Sequence, residues 1–377
     1  MASALRRSGR RCFSDPSFVE PLRRLLMSYD QEAELSLFGR HAARFDIMRC
    51  LANLLRLDAA EEEDPAIAAR TIARPLFITG MPRSATSFLH TLLSLDPANA
   101  VPRCWQLIYP YPPRMRPFGA DLRRARVALQ LRLFQSFSPG LEGLHELSAD
   151  APQECTDITA QVFQSARFET IHHIPSYQAW LDEHGHHQAF RFHKRFLQHL
   201  DAQMPGRHWV LKSPDHVFAL DAIHAVYPDA QIVFLHRDPL SVLASCAKLV
   251  ERLRRPFTRR IDRAEIGRQV SARLAEGADR MMRAAARYPR ALHLQYGDVI
   301  SRPVETVRLL YRHCGRSLGA EAEARMTAFL MRPRPRNGRG YSMAEFALDA
   351  ASLRERFSRY ADAFAIRPEW PGAAGRA

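Results

Sequence analysis

The sequence has 377 residues, of which 46% are hydrophobic and 25% are charged. This composition is that of a globular protein and excludes collagen-like, low-complexity and wholly disordered chains. The formal net charge is +14, yet only three of the 54 basic residues are lysines (Lys194, Lys212 and Lys248). Because the arginines are spread along the chain rather than gathered in one block, we interpret most of the excess as background surface charge.

Six cysteines are widely spaced and form no CxxC pair, which argues against a disulfide framework or a zinc knuckle. No apolar run approaches the roughly 20 residues of a membrane-spanning helix. The N-terminal arginines are not followed by the apolar segment of a secretory signal. We therefore predict a cytoplasmic protein without an integral membrane segment, with a transit peptide in the first dozen residues as the alternative.

Apolar residues recur at helical spacing from Phe18 to about Leu57, which predicts an N-terminal helical arm within residues 1–70. The main domain is expected at 71–377, where short apolar runs typical of buried parallel strands alternate with helical stretches. These runs are RPLFIT (74–79), HWVLK (208–212), QIVFL (231–235) and ALHLQY (291–296). The alternation predicts an α/β fold with a parallel sheet of about five strands and helices on both faces.

The first predicted strand leads into the loop GMPRSATS (80–87), after which a helix is expected. A loop of this kind binds anions through backbone N–H groups and the positive end of the helix dipole. Arg83 adds a guanidinium group, and Ser84, Thr86 and Ser87 add hydroxyls. The loop lacks the lysine of the GxxxxGK[ST] motif, which argues against ATP or GTP hydrolysis. An ordinary helix cap is the alternative interpretation.

A second anion site is predicted where the strand QIVFL continues into HRDP (236–239). Open parallel sheets bind ligands at the carboxyl ends of their strands. Arg237 stands at such an end, and Ser245 falls on the second turn of the expected helix, so both can converge on one phosphate. A structural arginine–aspartate pair is the alternative. Together the two segments predict a ligand with two separate anionic groups.

The segments GMPRSATS and HRDPLSVLAS, with LKSP between them, resemble the bacterial branch of the sulfotransferase family. Similar strings extend from about Arg74 to Phe364 and include SADAPQEC (148–155) and RNGRGYSMAEFALD (336–349). The resemblance implies a P-loop-like fold and 3′-phosphoadenosine 5′-phosphosulfate as the sulfuryl donor. It also implies that the loop 80–87 binds the 5′-phosphosulfate.

The 3′-phosphate of the donor is assigned by the same resemblance to Arg237 and Ser245. A basic loop near the C-terminus closes over this phosphate in relatives, which makes Arg336, and with it Arg339, a further candidate; a merely solvated loop is the alternative. The chain departs from the family at Ala85, where glycine is usual. If this position requires a positive φ, the methyl group costs about 1 kcal/mol and weakens donor binding.

Sulfuryl transfer requires positive charge on the leaving side and a base for the acceptor hydroxyl. Lys212, at the end of HWVLK, is expected to reach the bridging oxygen of the donor, and the resemblance implies the same role. Glu154 is the first candidate for the base, although its position at the start of a predicted helix also suits a capping charge. His216, four residues after Lys212, is the second candidate and His145 the third.

These observations predict a sulfotransferase that transfers a sulfuryl group in line from 3′-phosphoadenosine 5′-phosphosulfate to a hydroxyl or an amine. No metal is expected, because the histidine cluster at 182–187 lacks a recognised zinc spacing. Aromatic residues and prolines between Val101 and Pro175 suggest a small-molecule or lipid-like alcohol as acceptor. A nucleotide-dependent kinase and a basic nucleic-acid-binding protein are the alternatives. We expect no nucleic-acid partner and leave a homodimer open.

Overall fold

A computed structural model of the chain describes residues 1, 4–5, 12–112, 121–137, 148–332 and 342–369. Its centre is a five-stranded parallel sheet with the strand order β2-β3-β1-β4-β5. The α/β fold and the number of strands are confirmed, and the four predicted runs agree with the strands to within two residues. The strands are β1 (Leu76–Gly80), β2 (Asn99–Ala100), β3 (His208–Lys212), β4 (Gln231–His236) and β5 (Leu292–Gln295).

Helices surround the sheet and connect its strands. Within the described residues, no helix is both long enough and apolar enough to span a bilayer. The helices are α1 (Val19–Gln31), α2 (Leu37–Glu63), α3 (Thr86–Leu93), α4 (Cys104–Ile108), α5 (Arg123–Phe137), α6 (Thr156–Thr159), α7 (Arg167–Ile171), α8 (Pro175–His184), α9 (His187–Gln203), α10 (Leu220–Val226), α11 (Pro239–Arg254), α12 (Arg263–Arg287), α13 (Tyr296–Ser301), α14 (Pro303–His313), α15 (Ala320–Leu330) and α16 (Ala350–Ala363).

Side chains of the central strands alternate between the two faces of the sheet, as the period of two of a strand requires. Phe77 and Phe234 pack on one face, against the helices α9 to α12. Ile78 and Leu235 pack on the opposite face, against α3, α14 and α15. All four side chains are inaccessible to solvent. Helices therefore cover both faces, as the continuous apolar runs of the strands predicted.

The predicted N-terminal arm consists of α1 and α2, which join the main core rather than forming one of their own. Leu25 of α1 and Leu51 of α2 belong to the same buried cluster as Phe77 of β1. Part of the apolar spacing that predicted the two helices is thus the spacing of their buried face, whereas Leu37 and Phe38 at the start of α2 are exposed. The boundary between residues 70 and 71 stays a prediction.

Gly80 ends β1 with a φ of +129°, and a Cβ atom placed there would lie 2.2 Å from the carbonyl oxygen of Leu235. We expect Gly80→Ala to lower the free energy of unfolding by about 2 kcal/mol or more, because backbone strain and overlap add. Gly297→Ala in α13 is the matched control, since no atom outside its own stretch of helix lies within 4 Å of its Cβ position. Urea unfolding followed by circular dichroism measures both, and a Gly80→Ala protein as stable as the parent would contradict the prediction.

Candidate active site

The three segments that the sequence singles out meet at one edge of the sheet. β1 lies between β3 and β4, with Ile78 paired to Lys212 and Gly80 paired to Leu235. The carboxyl ends of parallel strands point the same way, so the loop 80–87, Lys212 and Arg237 emerge side by side. This edge is where open α/β sheets bind their ligands.

The loop 80–87 has a strained backbone, which a hydrogen bond inside the loop stabilises. Arg83 and Ala85 have φ values of +62° and +71°, in the left-handed region that favours glycine. The buried hydroxyl of Ser84 donates a hydrogen bond of 2.5 Å to the carbonyl oxygen of Met81. Ser84 therefore shapes the loop. Thr86 begins α3 directly after Ala85, so the loop presents its backbone at a helix N-terminus.

Lys212 joins the loop to the segment that carries Glu154. Its ammonium group donates to the hydroxyl of Ser87 at 3.0 Å and to the Glu154 carboxylate at 2.6 Å. The Lys212 side chain is only 2% exposed, whereas 26% of Glu154 is exposed. A second bond, from the N–H of Cys155 to the carbonyl of Lys212 at 3.0 Å, fixes the two backbones together. The structure thus unites Lys212, Ser87 and Glu154 from three separate parts of the chain.

Glu154 was expected at the start of a helix, but this helix begins later. Helix α6 begins at Thr156, and a 3₁₀ turn follows it at Ala160–Val162. Glu154 lies ahead of this helix, and its carboxylate contacts Lys212. The position of Glu154 is determined by its ion pair with Lys212, because a buried ammonium group requires a carboxylate or another polar partner.

Arg237 connects the end of β4 to the loop and to the C-terminal segment. Its Nη1 group donates to the carbonyl oxygen of Arg83 at 2.7 Å, and its guanidinium lies 3.7 Å from the ring centre of Tyr296. Its Nε and Nη2 groups donate to the carboxylate of Glu369 at 3.0 and 2.9 Å. The carboxylate of Glu369 therefore already forms an ion pair with Arg237.

Ser245 lies buried on the second turn of α11, as predicted. Burial raises the pKa of the adjacent Cys246 thiol to about 12, against the opposing effect of Arg83 and Arg237. Arg237 directly follows β4, and Ser245 lies on α11, the next helix along the chain.

His216 lies in the 3₁₀ helix Pro214–Phe218, where its ring packs edge-on against Phe77 at 5.1 Å. Burial holds the pKa of His216 well below its usual value. Burial also raises the pKa of neighbouring Asp215 to about 6, which Arg273 opposes and Glu154 reinforces. His216 is thus a neutral ring in aromatic surroundings.

Several candidate residues from the sequence analysis are not part of this arrangement. Arg336, Arg339 and His145 lie outside the described residues. The histidine cluster at 182–187 spans the junction of α8 and α9. The residues that the structure describes contain no group of three or more side chains suited to a metal ion. Two site residues were not predicted, Glu369 and Tyr296, because no local pattern marks them.

The parallel sheet, with the strained loop at a helix N-terminus and the buried lysine at its carboxyl edge, defines an α/β protein with a candidate anion site. The sequence model of the sulfotransferase family matches residues 75–319. The chain therefore belongs to the sulfotransferase family, as its resemblance implied.

Two solved structures are similar over nearly the whole chain. The crystal structure of sulfotransferase STF1 from Mycobacterium tuberculosis H37Rv shares 31% identity at a TM-score of 0.83, covering 95% of this chain and 97% of that one. Sulfotransferase STF9 from Mycobacterium avium shares 27% identity at a TM-score of 0.87, covering 98% and 96%.

A curated relative is the omega-hydroxy-beta-dihydromenaquinone-9 sulfotransferase Stf3 of Mycobacterium bovis, which is 26% identical over 265 residues. The match covers 64% of this chain and 62% of the relative. Neither a kinase nor a nucleic-acid-binding protein is favoured by these similarities.

Proposed function

We propose that this sulfotransferase moves a sulfuryl group from 3′-phosphoadenosine 5′-phosphosulfate to an acceptor hydroxyl. The observation that carries the proposal is the contact of the Lys212 ammonium with both Ser87 and Glu154. It puts a buried cation between the end of the anion-binding loop and a carboxylate that remains partly exposed. A cation for the leaving group and a base for the acceptor are the two groups that the reaction needs.

The donor has two separated anionic groups, and the edge of the sheet offers two places for them. The backbone N–H groups at the start of α3, with Arg83, suit the 5′-phosphosulfate. Arg237 and Ser245, at the end of β4 and on α11, suit the 3′-phosphate. A carboxylate on Arg237 supports this assignment, because the same planar fork of N–H donors binds a phosphate.

In the proposed reaction, the acceptor oxygen attacks sulfur in line with the oxygen that bridges sulfur and phosphorus. A new S–O bond forms, the bridging S–O bond breaks, and 3′,5′-adenosine bisphosphate leaves. Lys212 offsets the negative charge that develops on the bridging oxygen, while Glu154 accepts the hydroxyl proton. His216 remains the second candidate for the base, although its aromatic contacts and lowered pKa support it less than the contact with Lys212 supports Glu154.

For the acceptor we propose a lipid-like alcohol. One relative is named for an omega-hydroxylated dihydromenaquinone, which is an apolar molecule that carries a hydroxyl. Partly buried aromatic and apolar side chains such as Trp105, Ile108 and Tyr111 lie in the segment that precedes Glu154, which suits an acceptor of this kind.

The donor assignment predicts selective stabilisation by 3′,5′-adenosine bisphosphate. In a thermal-shift experiment, this nucleotide should raise the melting temperature more than AMP or ATP does, since only it has a 3′-phosphate to meet Arg237. Arg237→Ala should abolish the difference, whereas Arg268→Ala on the exposed face of α12 should preserve it. Equal shifts with all three nucleotides would overturn the donor assignment.

The assignment of the base predicts that Glu154→Gln lowers kcat by about 100-fold or more, because general-base catalysis contributes about that much. The rate is measured with labelled donor and the prenyl alcohol farnesol as acceptor. The bisphosphate should still stabilise the variant, which separates lost chemistry from lost binding. Near-normal turnover of Glu154→Gln, together with an inactive His216→Gln, would assign the base to His216.

The contact of Glu369 with Arg237 predicts competition between the C-terminal segment and the donor. Glu369→Gln removes one negative charge from the proposed 3′-phosphate position, so the affinity for 3′,5′-adenosine bisphosphate should rise about fivefold. Isothermal titration calorimetry measures the change. Glu355→Gln, on an exposed turn of α16, is the control and should leave the affinity unchanged. Unaltered or weaker binding by Glu369→Gln would show that this carboxylate does not compete.

A further inference from the structure

Away from the candidate active site, large apolar side chains are exposed on the first turns of α2 and along α5. Leu37 is 76% exposed and Phe45 is 53% exposed, while Leu129 and Leu133 are 58% and 55% exposed. Leu129 and Leu133 are four residues apart in α5, and Phe38 precedes Phe45 by seven in α2, so each set shares one helix face. Single exposed apolar residues are common, but a cluster on two neighbouring helices marks an interaction site.

The two exposed helix faces are joined into one surface by an aromatic ring between them. Phe257, in the connection after α11, stacks on Phe38 of α2 with ring centres 5.9 Å apart. It also stacks on Phe134 of α5 at the same distance. Phe257 therefore links α2 to α5, and we treat the exposed apolar side chains of the two helices together as one patch.

Basic side chains accompany this patch, and the parts of the two helices that form it contain no acidic residue. Arg40 and Arg44 are exposed on α2, and Arg132 is exposed on α5. None of the three forms an ion pair with an acidic residue in the described part of the chain. The sequence contains no aspartate or glutamate at 37–45 or at 122–137. We call the surface formed by Leu37, Phe38, Arg40, Arg44, Phe45, Leu129, Arg132 and Leu133 the basic apolar face.

We propose that the basic apolar face docks on the surface of an anionic lipid bilayer. Leucine and phenylalanine side chains insert at the boundary of headgroups and acyl chains, and arginines bind the lipid phosphates. A second copy of this chain fits the face less well. A symmetric contact would bring the same arginines together without acidic partners. Charge complementarity therefore favours an anionic membrane over a second copy of the chain.

Docking there would serve the site that receives the acceptor. The first turn of α5 contacts the segment that leads to Glu154, because Nε of Arg124 donates to the Asp150 carboxylate at 2.7 Å. Asp150 precedes Glu154 by four residues. An enzyme resting on the bilayer through α2 and α5 would thus meet apolar alcohols where they are dissolved. The docking itself does not depend on the identity of the donor.

The test is flotation of the full chain, without donor, on phosphatidylcholine vesicles with and without about one third phosphatidylglycerol. We expect binding that requires the anionic lipid and weakens with salt. Arg40→Gln/Arg44→Gln should lower the partition coefficient about fivefold per arginine. Leu129→Gln/Leu133→Gln should lower it at least tenfold. The matched controls are Ile300→Gln/Leu309→Gln and Arg354→Gln/Arg356→Gln, which change exposed side chains of the same types or similar size on other helices.

The proposal is overturned if the protein does not float, if it binds neutral vesicles equally well, or if the controls weaken binding as much as the face variants do. Light scattering tests the alternative, in which a second copy of this chain occupies the face. Conversion of a dimer to a monomer by Leu129→Gln/Leu133→Gln, without vesicle binding by the parent, would assign the face to a second copy. Because no nucleotide enters the experiment, a failure of the proposed donor would leave its result unchanged.

Discussion

The buried ammonium group of Lys212 is the constraint on which the candidate site depends. A charge in an apolar interior is costly unless partners surround it, and here the partners come from the loop after β1 and from the segment before α6. Because β3 fixes the backbone of Lys212 in the sheet, the requirement for partners decides where Glu154 and Ser87 must lie. The hydrogen bond from Cys155 to the carbonyl of Lys212 shows the same coupling in the backbone.

Arg237 is arranged on a different principle. Its guanidinium is held by the ring of Tyr296 and by the carbonyl of Arg83, which leaves its Nε and Nη2 groups directed at a carboxylate. Glu369 meets this fork with bonds that a phosphate would also satisfy. The C-terminal segment is kept there by further contacts, including the stacking of Phe364 on the His236 ring at 4.0 Å. The contact of the C-terminal segment with Arg237 is thus part of the fold.

The sequence predicted those parts of the molecule that local patterns determine. Apolar runs identified four strands, and the loop 80–87 stood out because a glycine-led segment separates a strand from a helix. Strand β2 was missed because two residues show no periodicity. Lys212 was marked by the scarcity of lysine and by the family resemblance. Glu369 could not be predicted, since 132 residues separate it from Arg237 and only the tertiary fold brings them together.

Ala85 shows how the fold accommodates a departure from the family pattern. Its φ of +71° places it in the region where glycine is usual, so the alanine adopts the strained backbone. Such strain persists only where the surroundings enforce it, as the bond from Ser84 to Met81 does here. The partly buried methyl group packs against the apolar cluster on one face of the sheet, which offsets part of the cost of about 1 kcal/mol for a positive φ at a residue with a Cβ atom. The loop adopts its shape with alanine in this structure, and weakened donor binding stays a prediction.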